Sequence, residues 1–125
     1  VLFRSTMVPF ETGVDEQSVT ILRNKENELA AVSLTFQAKM PKVGIVAFEN
    51  GYVTIADYPR ADRAEILFTD GTKEFIESGN TSEAMNYEIK NMVHMIEGDL
   101  PNRSLFLTKD VIEILDQMQV LWKNM

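Results

Sequence analysis

Between residues 17 and 78 apolar side chains recur at every second position in short runs broken by turn residues, the pattern of a meandering, mainly antiparallel sheet. "QSVTILR" is the first run, and the polar "NKEN" turns the chain back. In "ELAAVSLTFQAKM" Ala30, Val32, Leu34, Phe36, Ala38 and Met40 fall on one face, while Ala31, Ser33, Thr35, Gln37 and Lys39 fall on the other. That period of two predicts a strand over the whole run, ended by Pro41. "VGIVAF" and "YVTIADY" lie on either side of Asn50-Gly51, and "RAEILFTD" and "TKEFIES" flank Asp70-Gly71. Both dipeptides tolerate positive φ and predict hairpins. The region therefore holds five or six strands.

After Gly79 the period changes. "NTSEAMNYEIKNMVHMIEGD" places Met85, Ile89, Met92, Val93 and Ile96 on one helical face, with Asn80 or Thr81 suited to cap its start and Gly98 its end. A second helix is expected to open at Thr108, with Asp110 in its first turn and Val111, Leu115, Met118 and Trp122 along one stripe. No linker, repeat or low-complexity segment divides the chain. The expected fold is a single α+β domain over residues 1–125. It is an open, mainly antiparallel sheet of about six strands with two C-terminal helices packed on one face. Two helices side by side at about 10 Å cover roughly four strands spaced about 4.8 Å, so the other face is left over. In the long strand that face carries Ala31, Ser33, Thr35 and Gln37, small or polar groups that let a second sheet approach, which makes them the expected interface of a homo-oligomer.

Composition narrows the function classes. The chain has 125 residues, enough for one domain that buries roughly two thirds of its unfolded surface. It contains no cysteine, so disulfides, thiolate metal sites and a cysteine nucleophile are excluded. Acidic residues outnumber basic ones by 19 to 12, and the basic ones are scattered, which argues against nucleic acid as a partner. No apolar run approaches the roughly 20 residues a membrane helix needs, and "VLFRSTMVPF" is too short for a signal peptide. A cytoplasmic address and no membrane partner are the expectation. The chain begins with Val inside a β-prone stretch, which reads as a fragment of a longer protein.

Candidate chemistry is sparse. His94, the only histidine, flanks the apolar stripe of the first helix, and nothing in the spacing aims a nucleophile or a carboxylate at it, so it reads as a structural residue. With one histidine and no cysteine, a metal site would fall to carboxylates, and none is assigned. The pairs Asp15-Glu16 and Asp57 with Asp62 lie on turns and read as solvated charge. The glycines never form G-x-G-x-x-G or a P-loop, so no dinucleotide or nucleoside triphosphate cradle is encoded. The methionines, at helical spacing, read as core filler.

The string "TGVDEQSVTILRNKENELAAVSLTFQAKMPKVGIVAFENGYVTI", followed in order by "AMNYEIKNMVHMIEG" and "SLFLTKDVIEILDQM", resembles the C-terminal domain of the Gfo/Idh/MocA oxidoreductases. The dihydrodiol-dehydrogenase-like branch is the nearest in flavour. The resemblance rests on residues 12–16, on Glu49-Asn50-Gly51-Tyr52, on Tyr87-Glu88 and on residues 108–116. It implies a parent enzyme with an N-terminal Rossmann domain that binds NAD or NADP, and a hydride transfer to or from a sugar, polyol or related alcohol. The family's glycine-rich fingerprint, catalytic lysine and proton-transfer pair lie upstream of the matched region. The resemblance therefore implies that this chain alone is inactive, has no catalytic residue and binds no cofactor. Asp15 and Lys39, near the expected domain interface, are the substrate-side candidates. The connection "PRAD" is shorter than in many relatives, so contacts carried by that loop elsewhere do not transfer. A rival expectation is a free-standing sheet protein that binds a partner protein or small ligand without catalysis.

Overall fold

The computed structural model describes residues 2–102 and 104–124. The strands are β1 (Leu2–Pro9), β2 (Asp15–Arg23), β3 (Leu29–Thr35), β4 (Val43–Phe48), β5 (Gly51–Ala56), β6 (Arg63–Phe68) and β7 (Lys73–Glu77). A 3-10 turn, Thr81–Glu83, leads into α1 (Ala84–Glu97), and α2 (Ser104–Trp122) follows. The chain is α+β and its pairings are antiparallel, in line with the alternation. The layout departs from one six-stranded sheet. There are two sheets, β1-β2-β3 and β4-β5-β6-β7.

The helices divide in the same way. Residues 1–40 and 103–125 make one compact unit and residues 41–102 another, so α2 belongs with the three-stranded sheet and α1 with the four-stranded one. They do not share one face of one sheet. The expected long strand is cut short where its ladder ends, although β2 itself continues to Asp15: β2 pairs with β3 only from Gln17↔Thr35 to Arg23↔Leu29. Beyond that, Phe36 N–H still reaches the Glu16 carbonyl at 3.0 Å, but Gln37 N–H turns back to Thr35 Oγ1 at 3.1 Å. Residues 36–40 leave strand geometry there. The additional strand is β1, whose apolar alternation is weaker than that of the others and whose pairing with β2 completes the first sheet.

In that sheet directly opposed residues share a face, so the register sorts the side chains. Phe3, Ser5 and Met7 of β1 align with Leu22, Thr20 and Ser18 of β2 on the face that α2 covers. Ser18 and Thr20 are buried, and Met118 of α2 is the only buried apolar side chain among the described residues. Trp122 Nε1 donates to Ser5 Oγ at 3.1 Å, and Ser5 Oγ and Thr20 Oγ1 are 2.7 Å apart. The covered face of β2 is thus hydroxyl-rich and its opposite face, with Val19 and Ile21, is apolar and exposed. α2 begins four residues before the expected Thr108, because Leu107 extends the same stripe by one turn; the Thr108 hydroxyl is spent on the Ser104 carbonyl at 3.0 Å.

In the second unit the hairpins fall close to where the dipeptides place them. Glu49 and Asn50 form the first loop, with Phe48 opposite Gly51, so Gly51 opens β5 instead of standing in the turn. Its φ is +151°, and an added Cβ would overlap the Leu67 carbonyl and lie 2.9 Å from Phe68 Cα. The second loop turns at Asp70 and Gly71, with Asp70 Oδ1 accepting from Thr72 N–H at 2.8 Å and from its hydroxyl at 2.6 Å. Asn80 caps the 3-10 turn through Ser82 N–H, and Gly98, φ +85°, closes α1 with its N–H on the His94 carbonyl.

The chain exposes 10633 Å². A folded monomer of its mass exposes about 6,800 Å², and two separate bodies of half that mass about 8,200 Å². Within each unit large apolar side chains are exposed, among them Leu29 and Phe36 in the first and Met92 and Ile96 in the second.

Gly51 supplies a direct check. In Gly51→Ala the methyl group meets backbone on β6 and the φ is unfavourable for an L-residue, a cost of about 1–3 kcal/mol. Amide hydrogen exchange should show β5 and β6 losing protection while the first unit, followed through Trp122 fluorescence, is unchanged.

Candidate functional site

The loop between β5 and β6, residues 57–62, borders two polar concavities and is tied to its surroundings by hydrogen bonds. Asp57 takes a left-handed conformation, φ +57°, which aspartate tolerates better than most side chains, and its N–H donates to the Lys42 carbonyl at 2.7 Å. From the far end of the loop, the Asp62 carbonyl accepts Ser78 N–H at 2.8 Å. Thr81 then ties the loop from the helix side: its hydroxyl donates to the Arg60 carbonyl at 2.6 Å and its N–H to Asp62 Oδ2 at 3.4 Å. The loop backbone is held at both ends, and of its side chains the Asp62 carboxylate is part of the staple.

Two concavities flank this loop within the second unit. One, of about 680 Å³, lies over the sheet and is lined by Thr54, Arg60, Asp62, Arg63 and Phe75 among others. Its neighbour, of about 520 Å³, lies against the start of α1 and is lined by Arg60, Asp62, Asn80, Tyr87 and Asn91 among others. Arg60, Ala61, Asp62 and Thr81 line both. Arg63 is held with its guanidinium 3.9 Å over the Phe75 ring, a cation–π contact that fixes its position. Glu65 is neutralised by Lys73 at 2.7 Å, which also lifts the lysine's pKa above its ordinary value. Arg60 has no carboxylate partner among the described residues; its Nη2 lies 3.5 Å from Met85 Sδ. The Asp62 carboxyl is held below the usual carboxylate value by Thr81, through its hydroxyl and its N–H. The hydroxyl has a single proton and its shorter contact is to the Arg60 carbonyl, so the N–H is the bond the carboxylate keeps.

The residues marked from sequence fall elsewhere. Asp15 opens β2 and lines two small concavities of the first unit, one of about 300 Å³ with Phe10, Val14 and Phe36, and one of about 400 Å³ with Trp122 and Lys123. Lys39 is exposed in the segment after β3 and lines none of the concavities described. Ala31 and Ser33 lie opposite Ile21 and Val19, and Thr35 opposite Gln17, on the sheet face away from α2. Gln37, past the strand end, accepts from Gln17 Nε2 at 3.0 Å. His94 does have a carboxylate beside it, unlike its sequence reading: the Gly98 turn brings Asp99 Oδ2 to 3.4 Å from Nδ1. Ligand atoms of His94, Glu97 and Asp99 lie within 4.8 Å of one another, all on exposed side chains. Asp57 and Asp62 read as solvated charge in the sequence because Thr81, which binds Asp62, is 19 residues away, beyond the reach of a local pattern.

Asp62 makes the loop staple sensitive to acid. Because its pKa in the folded chain lies below 3.8, its contribution is fully present above that value and is lost as the pH falls through the lowered one. Between pH 5 and 8 the protection of the Thr81 amide should therefore be flat apart from intrinsic exchange, and it should fall below about pH 4. In Asp62→Asn that acid-dependent component should vanish; hydrogen exchange of Thr81 in both proteins is the measurement.

No family model matches this chain, and no curated protein matches it.

Proposed function

We propose that the chain is the substrate-side and assembly part of an NAD(P)-dependent oxidoreductase acting on a sugar, polyol or related alcohol, as its resemblance to Gfo/Idh/MocA C-terminal domains implies. The observation that carries the assembly role is the uncovered face of the three-stranded sheet. Thr6, Val19 and Ser33 form one cross-strand row on it and Arg4, Ile21 and Ala31 the next. Val19 and Ile21 are 47% and 51% exposed, and their β3 neighbours are small enough for a second sheet to approach. A copy of the same face, related by a two-fold axis, would cover this row without requiring a new surface.

The hydride chemistry belongs to the nicotinamide, and this reading places its site on a Rossmann domain outside the present sequence. The start of α1 is consistent with that: it is entered through Glu83, whose charge opposes the pyrophosphate a helix start would otherwise favour, and no glycine-rich turn feeds it. The second reading, a non-catalytic module that binds a partner protein, is favoured by the apolar stripe of α1, where Met92 is 61% and Ile96 75% exposed.

Self-association separates the two. Thr35 sits at the strand end and its hydroxyl is engaged with Gln37, so the centre of the face is Ser33. Light scattering at tens of micromolar should show a dimer for the natural chain and a monomer for Ser33→Arg, which buries an unpaired charge at the contact. A monomeric natural chain would favour the partner-binding module. Calorimetric titration should show no saturable binding of NAD(H) or NADP(H) by this chain at micromolar concentration.

A further inference from the structure

We infer that the cleft around residues 57–62 binds a hydroxy acid, a polyhydroxylated monocarboxylate, with its carboxylate on Arg60. The site stands on the geometry of the second unit and does not rest on the oxidoreductase reading; that reading bears only on whether such a ligand is a substrate.

The charges around the loop decide the ligand. Of the cations lining the larger concavity, Arg63 is committed to the Phe75 face, while Arg60 projects from a stapled backbone with no ion pair among the described residues and only the weak acceptor Met85 Sδ at 3.5 Å from its Nη2. A guanidinium presents paired N–H donors in the spacing of a carboxylate, so one held only by a thioether contact at the junction of two concavities is suited to a planar monoanion. Glu65, already paired with Lys73, does not compete for it. Asp57 and Asp62 also line this space, and Asp62 stays ionised at neutral pH. They would repel a phosphate dianion. Carboxylates with acceptor capacity to spare instead take hydrogen bonds from hydroxyl donors, and Thr54 and Asn91 add neutral polar partners on either side. Two guanidiniums, one of them stacked on Phe75, beside two carboxylates that form no ion pair among the described residues thus favour a ligand with one negative end and a chain of hydroxyls. The concavities, about 680 and 520 Å³, each fall within the range of small-molecule sites.

The probes are D-gluconate, D-glucitol with the same hydroxyl chain and no charge, acetate with the charge and no hydroxyls, and inorganic phosphate. Calorimetry on the 125-residue chain should show gluconate binding at least ten-fold more tightly than any of the other three. Arg60→Gln should remove that advantage and leave glucitol binding unchanged; Lys25→Gln, in the β2–β3 turn of the other unit, should change neither. Backbone amide shifts on adding gluconate to the natural chain should concentrate at residues 57–63 and 78–83, which tests the location even if the arginine variant folds poorly. No gluconate binding, equal binding of gluconate and glucitol or of gluconate and phosphate, or shifts confined to the first unit would each overturn the site. Self-association is measured separately, so a monomer that binds gluconate at this loop would sink the assembly reading and leave the hydroxy-acid site standing.

Discussion

The first unit depends on a seam of hydroxyls. Ser5, Thr20 and the Trp122 indole form one chain of hydrogen bonds, with Met118 closing over Thr20. Burying hydroxyls is tolerable only when they find partners, and here they find each other and the indole N–H. That fixes which way β2 faces: with Ser18 and Thr20 turned to α2, the period of two sends Val19 and Ile21 to the other side. A one-residue slip would put the apolar pair under the helix and strand the hydroxyl seam. The exposed apolar face follows from the way the covered face is satisfied.

Much of the fold could be read from the sequence, because period and turn chemistry are local. The alternation located strands β2 to β7, and Asp70-Gly71 marked a loop that the Asp70 carboxylate then locks through Thr72. Asn80 and Gly98 do cap the segment that contains α1. What the alternation could not fix is partnership. Phe36, Ala38 and Met40 keep the strand period, but the ladder with β2 ends at Gln17↔Thr35 with one further bond from Phe36 N–H to the Glu16 carbonyl, and a period without a ladder does not make a strand. The division into two sheets is a matter of the same kind, since which strands pair is set by contacts distant in sequence.

The candidate site was hidden for a related reason. Asp57 and Asp62 look like ordinary turn charges until Thr81 is seen to hold one end of their loop, and Arg60 looks like an ordinary surface cation until the same loop is seen to hold its backbone between two concavities. Asp15 and Lys39 were chosen by position in a resembling family, and the structure gives them no common pocket among those described. His94 shows the converse. Its carboxylate neighbour arises from the left-handed turn at Gly98, a geometry that the spacing of five residues does not announce.

The two exposed features differ in the kind of ligand each can hold. The open face of the first sheet presents Val19 and Ile21 among Thr6, Ser33, Ala31 and Arg4, so its recognition combines area and shape with a few polar contacts, and only a large partner returns enough apolar burial to offset the loss of translational freedom. The loop of the second unit presents charges on a backbone already fixed by Thr81 and Ser78, so little ordering remains to oppose a small ligand. A chain that joins both features can associate through one unit and keep the other free for a small molecule, because neither surface is consumed by the other's chemistry.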